Sequence, residues 1–266
     1  MKTVALVAGR GALPPMLVRA VKAQGHRICV VNLKGHNDAP IEPPEVDAAT
    51  TLPVGAIGKA LKFLEAQGAE EVLFAGNVDK TVWYRDLRPD LQALKLITNL
   101  PDGGDDRILR ALTDMLEAKG FPVGAPVDWL PDCLAPTGHL AGPEASAEVV
   151  GDMEFGLRIA KGVGALEIGQ TVVVCRGCVV AVEAVEGTDA MIARAGMLAK
   201  KGAVVVKAIK PQQDRRLDVP TVGVETLAAM KEAGLRWLAL EAGCLILEPE
   251  RFRAQAKALK IGVYGR

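Results

Sequence analysis

Val4-Ala-Leu-Val-Ala-Gly-Arg-Gly-Ala-Leu-Pro14 is the stretch that decides the fold of the first half of the chain. Its apolar run, Val4 to Ala8, predicts a buried strand, and the glycines that follow predict a tight loop. A helix is expected to begin at Pro14 or Pro15, because proline favours the first helical position. Arg27 to Leu33 predict the next strand. This order of elements is typical of a βαβ unit in a parallel sheet.

The alternation of strands and helices continues through the first half. It predicts a helix, a strand and a further helix at residues 57–67, 71–75 and 107–119. Between Ala135 and Ser146 the composition shifts to Pro, Gly, Thr, His and Ser, as in a linker between domains. We therefore expect an α/β protein with a Rossmann-like parallel-sheet domain at residues 1–135, a linker at 136–146 and a second, mixed α/β domain at 147–266.

The second half predicts a less regular order of elements. Residues 171–175 and 178–185 form a predicted hairpin around Arg176-Gly177. The remaining predictions are helices at 147–161, 190–200, 225–233 and 250–260, a strand at 203–209 and a strand pair near 237–247. This mixture predicts a domain in which parallel and antiparallel strands combine with helices.

Composition excludes several classes of protein. The chain has 266 residues, 50% of them hydrophobic, and a formal net charge of zero, which gives no support for a nucleic-acid-binding protein, since such proteins usually present a basic surface. No apolar run approaches the roughly 20 residues that span a bilayer, and the N-terminus does not have the form of a signal peptide. We expect a cytosolic protein whose five cysteines are free thiols.

The glycine loop has the position of a phosphate-binding loop, between a strand and a helix. Gly9 and Gly11 let the backbone approach an anion, and the N-terminus of the helix that follows favours negative charge. The loop is not a dinucleotide fingerprint, because Pro14 stands at the third glycine position and Asn32-Leu-Lys34 replaces the acid that binds ribose. The alternative is a strand-to-helix turn that binds no ligand.

Two further polar positions in the first half have a structural and a functional interpretation each. Asn77, in Gly76-Asn-Val78, follows a predicted parallel strand, where ligands collect, or else sits in a plain turn. Asp105, in Gly103-Gly-Asp-Asp106, precedes a predicted helix. It would cap that helix or help to place a metal or a sugar hydroxyl.

Glu186-Gly-Thr-Asp189 lies at a strand-to-helix junction in the second half. Thr188 or Asp189 would cap the helix that follows. Glu186 and Asp189 are separated by two residues around a glycine, so both carboxylates can face one cavity, as hard-cation sites require. Mg²⁺ usually takes only one or two protein carboxylates and completes its shell with water and phosphate oxygens.

Residues 207–218 combine cations and acids directly after an apolar strand. Lysine and arginine bind phosphate oxygens, and a carboxylate positions water or an ion. The polar members are Lys207, Lys210, Gln213, Asp214, Arg216 and Asp218. The alternative is a solvated loop with salt bridges.

Other catalytic classes lack their usual residues. Cys175-Arg-Gly-Cys178 stands alone and spans a predicted turn, and the three histidines are scattered, so no zinc set is complete. There is no Gly-x-Ser-x-Gly elbow for serine acyl transfer.

The chain resembles the magnesium-dependent UDP-2,3-diacylglucosamine pyrophosphatases of lipid A synthesis, the LpxI type. The segments that carry the resemblance occur in the same order over nearly the whole chain. They are Ala8-Gly-Arg-Gly-Ala-Leu-Pro14, Gly76-Asn-Val78, Gly103-Gly-Asp-Asp106, Glu186-Gly-Thr-Asp189 and Gln213-Asp-Arg-Arg-Leu-Asp-Val-Pro220.

The resemblance implies a hydrolase that cuts the pyrophosphate of UDP-2,3-diacylglucosamine to UMP and 2,3-diacylglucosamine 1-phosphate (lipid X). It implies Mg²⁺, with Mn²⁺ as the alternative ion, a homodimer, and peripheral contact with the inner face of the cytoplasmic membrane. We expect no nucleic-acid partner. The two rival interpretations are a nucleotide-dependent ligase or transferase and a non-enzymatic lipid- or nucleotide-binding protein.

The candidate residues divide by role, with catalysis assigned to the C-terminal domain. The catalytic candidates are Asp218, Asp214, Lys207, Lys210 and Arg216. The substrate-binding candidates are Gly9, Arg10, Gly11, Asn77, Gly187, Thr188 and Gln213. The metal-binding candidates are Asp189, Glu186 and Asp218, and Asp105 is a secondary candidate.

Overall fold

A computed structural model describes residues 1–78, 89–98, 105–199 and 202–266. The chain divides into two compact units. The first comprises residues 1–130 together with 215–217, and the second comprises residues 131–214 and 218–266. Among the described residues, no helix combines the length and the apolar character needed to cross a membrane.

The first unit contains a four-stranded parallel sheet and the helices that cover it. Its strands are β1 Thr3–Ala8, β2 Arg27–Leu33, β3 Ala48–Leu52 and β4 Glu71–Ala75. Its described helices are α1 Leu13–Ala23, α2 Ile57–Gln67, α3 Leu91–Thr98 and α4 Asp105–Ala118, with a 3₁₀ helix at Pro126–Trp129. The strand order is β3-β2-β1-β4, and every pairing is parallel.

Strands β1 and β2 form the buried centre of this sheet because nearly every residue in them is apolar. One core cluster packs Leu61 and Leu64 of α2 against Ala5, Cys29 and Val72 from three strands. Because β1 and β4 are parallel neighbours, the loops that follow them emerge side by side at the carboxyl edge of the sheet.

The second unit is built on a six-stranded mixed sheet. Its strands are β5 Gly138–Ala141, β6 Thr171–Cys175, β7 Cys178–Val182, β8 Val204–Lys207, β10 Trp237–Leu240 and β12 Gly262–Gly265. The order is β5-β12-β10-β8-β6-β7, with β8, β10 and β12 parallel and the other pairings antiparallel. A separate two-stranded sheet pairs β9 Thr221–Val222 with β11 Leu245–Ile246.

Among the described residues, four helices cover the two faces of the six-stranded sheet. They are α5 Ala147–Ala165, α6 Thr188–Leu198, α7 Val224–Ala233 and α8 Pro249–Leu259, and a 3₁₀ helix lies at Pro131–Cys133. Helix α5 packs on the face that carries Val172 and Val206. The helices α6, α7 and α8 pack on the face that carries Val173 and Val205. Side chains alternate between faces along a strand, so neighbouring valines enter different cores.

The structure confirms the expected fold class, an α/β protein with a parallel sheet and a second mixed sheet. Two predicted features differ. Both strands expected near residues 237–247 are present, but they do not pair with each other, because β10 lies between β8 and β12 while β11 pairs with β9. Residues 138–141, inside the expected linker, form β5 at the edge of the large sheet, where β12 supplies its hydrogen-bonding partner.

Candidate functional site

Three neighbouring strands of the second unit carry polar side chains at the same end and on the same face of the sheet. Lys207, the last residue of β8, lies opposite Thr171, the first residue of β6. Glu183 follows β7, and its backbone N–H donates to the Thr171 carbonyl at 2.9 Å. The exposed fractions of Glu183, Thr171 and Lys207 are only 9%, 0% and 6%. We call these three residues the polar row.

The hydroxyl of Thr188 joins the two charges of the polar row. It donates to Glu183 Oε1 at 2.6 Å and accepts from Lys207 Nζ at 3.1 Å. Thr188 is the first residue of α6, and Gly187 is the N-cap, with a φ of 83° and no side-chain cap. The prediction that Thr188 or Asp189 caps this helix is therefore wrong, because the Thr188 hydroxyl is engaged with the sheet.

An amide network extends from the polar row into the loop after β8. Gln213 Nε2 donates to Asp218 Oδ2 at 2.6 Å and lies 3.4 Å from Gln170 Oε1. Gln213 Oε1 accepts from the backbone N–H of Lys210 at 3.0 Å. The backbone N–H of Gln170 donates to Glu183 Oε2 at 3.3 Å. The structure thus brings Lys207, Thr188, Gln213 and Asp218 into one hydrogen-bonded cluster.

Glu241, which the sequence interpretation missed, holds the segment that follows Lys207. It comes directly after β10, and its Oε2 accepts the backbone N–H of Ile209 at 2.8 Å. Its Oε1 pairs with Lys161, and its own N–H donates to the Lys207 carbonyl at 2.9 Å. Adjacent Cys244 is buried, and burial raises the pKa of its thiol to about 12.

Two of the predicted catalytic residues have other contacts. The carbonyl of Asp214 accepts the backbone N–H of Asp218 at 3.0 Å, which closes a turn. Arg216 is grouped with the first unit, where its Nη1 lies 2.7 Å from Glu117 Oε1. That ion pair fits the alternative interpretation of this segment as a charged loop with salt bridges.

The acids of the Glu186-Gly-Thr-Asp189 segment differ in how they are engaged. Glu186 Oε1 pairs with Arg194 Nη2 at 2.6 Å, and Oε2 accepts the backbone N–H of Ala184 at 3.0 Å. Its own backbone N–H, and then Arg194, hold the pKa of the Glu186 carboxyl below its ordinary value. Asp189 is exposed in the first turn of α6.

No ready-made metal cage is visible in the part of the chain that the structure describes. Within it, no group of three or more His, Cys, Asp or Glu side chains converges as a metal site. Cys175 and Cys178 are free thiols that face each other across the β6–β7 turn. Asp105 begins α4, but its side chain and the preceding glycines lie outside the described residues.

In the first unit, the glycine loop is tied to the neighbouring loop by its own backbone. The Gly9 N–H donates to the carbonyl of the last residue of β4 at 2.8 Å. Arg10 and Asn77 exchange two backbone hydrogen bonds of 3.0 and 2.9 Å. The Gly11 N–H donates to Asp38 Oδ2 at 2.9 Å. The N–H groups of Gly9, Arg10 and Gly11 are therefore already paired.

The two loops approach so closely that only glycine fits at the crossing. A Cβ on Gly9 would lie 2.7 Å from the Asn77 carbonyl oxygen. A Cβ on Gly76 would lie 2.6 Å from the Gly9 carbonyl carbon, and Gly76 has a φ of 92°. The side chains of Arg10 and Asn77 remain exposed at this edge, and Arg10 Nη2 donates to the Gly35 carbonyl at 2.8 Å.

Similarity to solved structures is weak. The biotin carboxylase domain of a thermophilic 2-oxoglutarate carboxylase shares 17% identity, with a TM-score of 0.29, over 66% of this chain and 35% of its own. N5-carboxyaminoimidazole synthetase from Staphylococcus aureus shares 17% identity, with a TM-score of 0.27, over 80% and 42%. The chain spans less than half the length of either structure, and similarity at this level does not establish a shared fold or function.

Sequence similarity is much stronger. The protein named UDP-2,3-diacylglucosamine pyrophosphatase LpxI from Caulobacter vibrioides (strain ATCC 19089 / CIP 103742 / CB 15) is 36% identical over 278 aligned positions, which cover 100% of this chain and 98% of that protein. The family described as LpxI N-terminal domain matches residues 3–133, and the family described as LpxI C-terminal domain matches residues 136–264. The two matches together span nearly the whole chain, and the chain belongs to the LpxI family.

Proposed function

We propose that this protein hydrolyses the pyrophosphate bond of UDP-2,3-diacylglucosamine in a Mg²⁺-dependent reaction and releases UMP and 2,3-diacylglucosamine 1-phosphate (lipid X). The observation that carries the proposal is the full-length similarity to a protein named for this pyrophosphatase activity. The chemistry of the described residues supports the same reaction, because the second unit offers a buried cation next to amide and carboxylate groups.

Lys207 is the proposed anchor for the pyrophosphate. Its ammonium is nearly buried at the end of β8, where a charge interacts more strongly than in water. A lysine ammonium has three N–H donors, and Thr188 takes one of them. The remaining donors are available to phosphate oxygens, whose negative charge grows on the leaving group during hydrolysis. We assign Lys210 the same kind of contact, because its ammonium has no partner among the described residues.

Asp218 is the proposed acid at the reacting phosphorus. Gln213 holds one of its oxygens and leaves the other open to water or to a metal ion. A carboxylate fixed in this way can orient an attacking water and accept its proton. Asp214 lies one turn earlier and shapes the loop through its carbonyl.

The donor set fits Mg²⁺ better than a softer metal. The exposed acids Asp218 and Asp189 supply oxygen ligands, and Mg²⁺ needs only one or two protein carboxylates when phosphate oxygens complete its shell. When bound, the ion would neutralise charge on the pyrophosphate oxygens. Glu186 comes after these two in our assignment, because Arg194 already neutralises it. Mn²⁺ has the same ligand preference and is the proposed substitute.

The first unit is proposed to meet the nucleotide through side chains rather than through loop N–H groups. Arg10 and Asn77 are exposed where β1 and β4 end, and both can hydrogen-bond phosphate, ribose or uracil. We further propose a homodimer and contact with the inner face of the cytoplasmic membrane. The membrane contact follows from a substrate that carries two acyl chains, which partition into lipid.

The test is release of UMP from UDP-2,3-diacylglucosamine by the purified protein with Mg²⁺, with and without EDTA. We expect turnover that EDTA abolishes and that ATP does not stimulate. Asp218→Asn should reduce kcat by about a hundredfold or more, as expected for loss of a general base. Asp114→Asn, which alters an exposed acid on α4, is the matched control and should retain full activity.

Two results would contradict the proposal. Binding of the lipid without turnover, under any divalent metal, would indicate a binding protein. Turnover that requires ATP and a second substrate would indicate a ligase or transferase.

A further inference from the structure

Glu183 is a buried acid at the candidate site to which the proposed reaction gives no role. The strand interior beside it is apolar, and the residue two positions earlier, Ala181, belongs to the hydrophobic core. Glu183 is only 9% exposed, yet both of its carboxylate oxygens are hydrogen-bonded. One oxygen accepts from the Thr188 hydroxyl and the other from the backbone N–H of Gln170.

The direction of these hydrogen bonds determines what Thr188 can do. A threonine hydroxyl has one proton, and at 2.6 Å that proton belongs to the bond with Glu183. The hydroxyl oxygen is then left as an acceptor, and Lys207 Nζ donates to it at 3.1 Å. An ionised carboxylate is acceptor-only, so Glu183 holds the hydroxyl in this one orientation.

The same arrangement balances charge inside the sheet. Burial of a single carboxylate or ammonium is strongly unfavourable unless it is paired and hydrogen-bonded. Glu183 and Lys207 have opposite charges and are joined through one hydroxyl, so each offsets the other. A cation held in this way has a defined position before any ligand arrives.

We propose that Glu183 is a positioning residue that acts through Thr188 to fix the Lys207 ammonium, with two N–H donors left for a phosphate group. The identity of that phosphate rests on the proposed function. The positioning of Lys207 does not, and it can be measured without any substrate.

Two substitutions of Thr188 separate the hydroxyl from the shape of the side chain. Thr188→Val keeps the branched shape and removes the hydroxyl, whereas Thr188→Ser keeps the hydroxyl. Loss of a hydrogen bond to a charged group corresponds to about a tenfold to hundredfold effect. We expect kcat/KM to fall by that factor in Thr188→Val and to fall much less in Thr188→Ser.

Glu183→Gln should resemble Thr188→Val. A glutamine has one oxygen for the two donors that Glu183 now satisfies, so one of them must face an N–H group. Because Glu183 acts through Thr188, the two effects should not add. The double variant Glu183→Gln with Thr188→Val should be no less active than the less active of the two single variants. The loss should appear in kcat, because a mispositioned cation weakens contacts that strengthen in the transition state.

The decisive experiment is amine labelling of the folded protein, in which peptide mass spectrometry measures the modification of Lys207. We expect labelling of Lys207 to rise about tenfold in Thr188→Val and in Glu183→Gln, and not in Thr188→Ser. Glu71→Gln is the matched control, since it removes a carboxylate that pairs with Lys2 in the first unit at 2.6 Å. It should leave Lys207 labelling unchanged.

Equal labelling of Lys207 in wild type and Thr188→Val would overturn the proposal, whatever the activity. So would equal rates for the valine and serine variants in a protein that turns substrate over. A wild type that shows no turnover, but the expected labelling pattern, would refute the proposed function and leave the positioning role supported. If Glu183→Gln does not fold, the two Thr188 variants still decide between these outcomes.

Discussion

Gly76→Ala is expected to destabilise the first unit selectively. Gly76 has a φ of 92°, and an added Cβ would lie 2.6 to 2.8 Å from backbone atoms of Gly9 and Arg10. Gly11 is the matched position, because its φ is 104° and an added Cβ would meet nothing within 4 Å. The two glycines share the strained backbone conformation and differ in the close approach.

The magnitudes follow from three terms: the two costs just named and a gain from restricting the unfolded chain. A non-glycine residue in the left-handed region costs about 1–2 kcal/mol, and forcing extra atoms into a packed contact costs about 1–3 kcal/mol. Alanine recovers about 0.4–1 kcal/mol by restricting the unfolded chain. We therefore expect a loss of about 2–4 kcal/mol for Gly76→Ala and of about 1 kcal/mol for Gly11→Ala.

Urea unfolding, read by thiol labelling, measures both units in one experiment. Cys29 is buried in β2 and reports on the first unit, and Cys244 is buried in the second. The urea midpoint for Cys29 should fall much further in Gly76→Ala than in Gly11→Ala, and the midpoint for Cys244 should not move. Equal shifts in the two variants would show that the close approach of the two loops does not constrain the fold.

Three further outcomes are expected. At pH 8, exposed Cys178 should be alkylated much faster than Cys244, because Cys244 is buried and burial raises the pKa of its thiol to about 12. Comparable rates in the native protein would contradict this. Glu186→Gln should leave the Mg²⁺ concentration for half-maximal activity unchanged, because an arginine already neutralises that carboxylate, whereas Asp189→Asn should raise that concentration. A raised Mg²⁺ requirement in Glu186→Gln but not in Asp189→Asn would refute the metal assignment. Tyr264→Phe should lower the free energy of unfolding by about 1–2 kcal/mol, because the tyrosine hydroxyl accepts the backbone N–H of Ala145 at 2.7 Å. An unchanged urea midpoint would argue against that hydrogen bond.

Local pattern was enough to predict the centre of each sheet. Residues 4–8 are a continuous apolar run followed by a glycine, and residues 28–31 are another within 27–33. Both patterns indicate buried parallel strands, and the structure confirms both. The edges were harder to predict. Strand β3 is a short, half-exposed run of alanine, threonine and leucine, and β12 begins and ends with glycine, so neither has a strong strand pattern.

The candidate site was predicted in part, for a physical reason. Lys207 and Asp218 stand out in sequence as charges beside an apolar strand. Glu183 does not, because its partner Lys207 is 24 residues away and the two meet only through pairing of three strands. One local signal was present: Glu183 continues the alternation of β7 onto the face of Ala181, where an acid is out of place unless it has a buried partner.

The two units place polar groups at strand ends in different ways, and the difference determines how each site responds to change. In the first unit the edge is held by backbone hydrogen bonds between Arg10 and Asn77, so their side chains can be truncated without loss of that pairing. In the second unit the side chains of Glu183 and Lys207 are themselves buried, and loss of either leaves an uncompensated charge in the sheet. At the proposed nucleotide contacts of the first unit, loss of a ligand contact should therefore be separable from loss of folding, whereas at the polar row the two should be coupled. Isosteric changes at Thr188 therefore probe the second unit more cleanly than deletion of its charges.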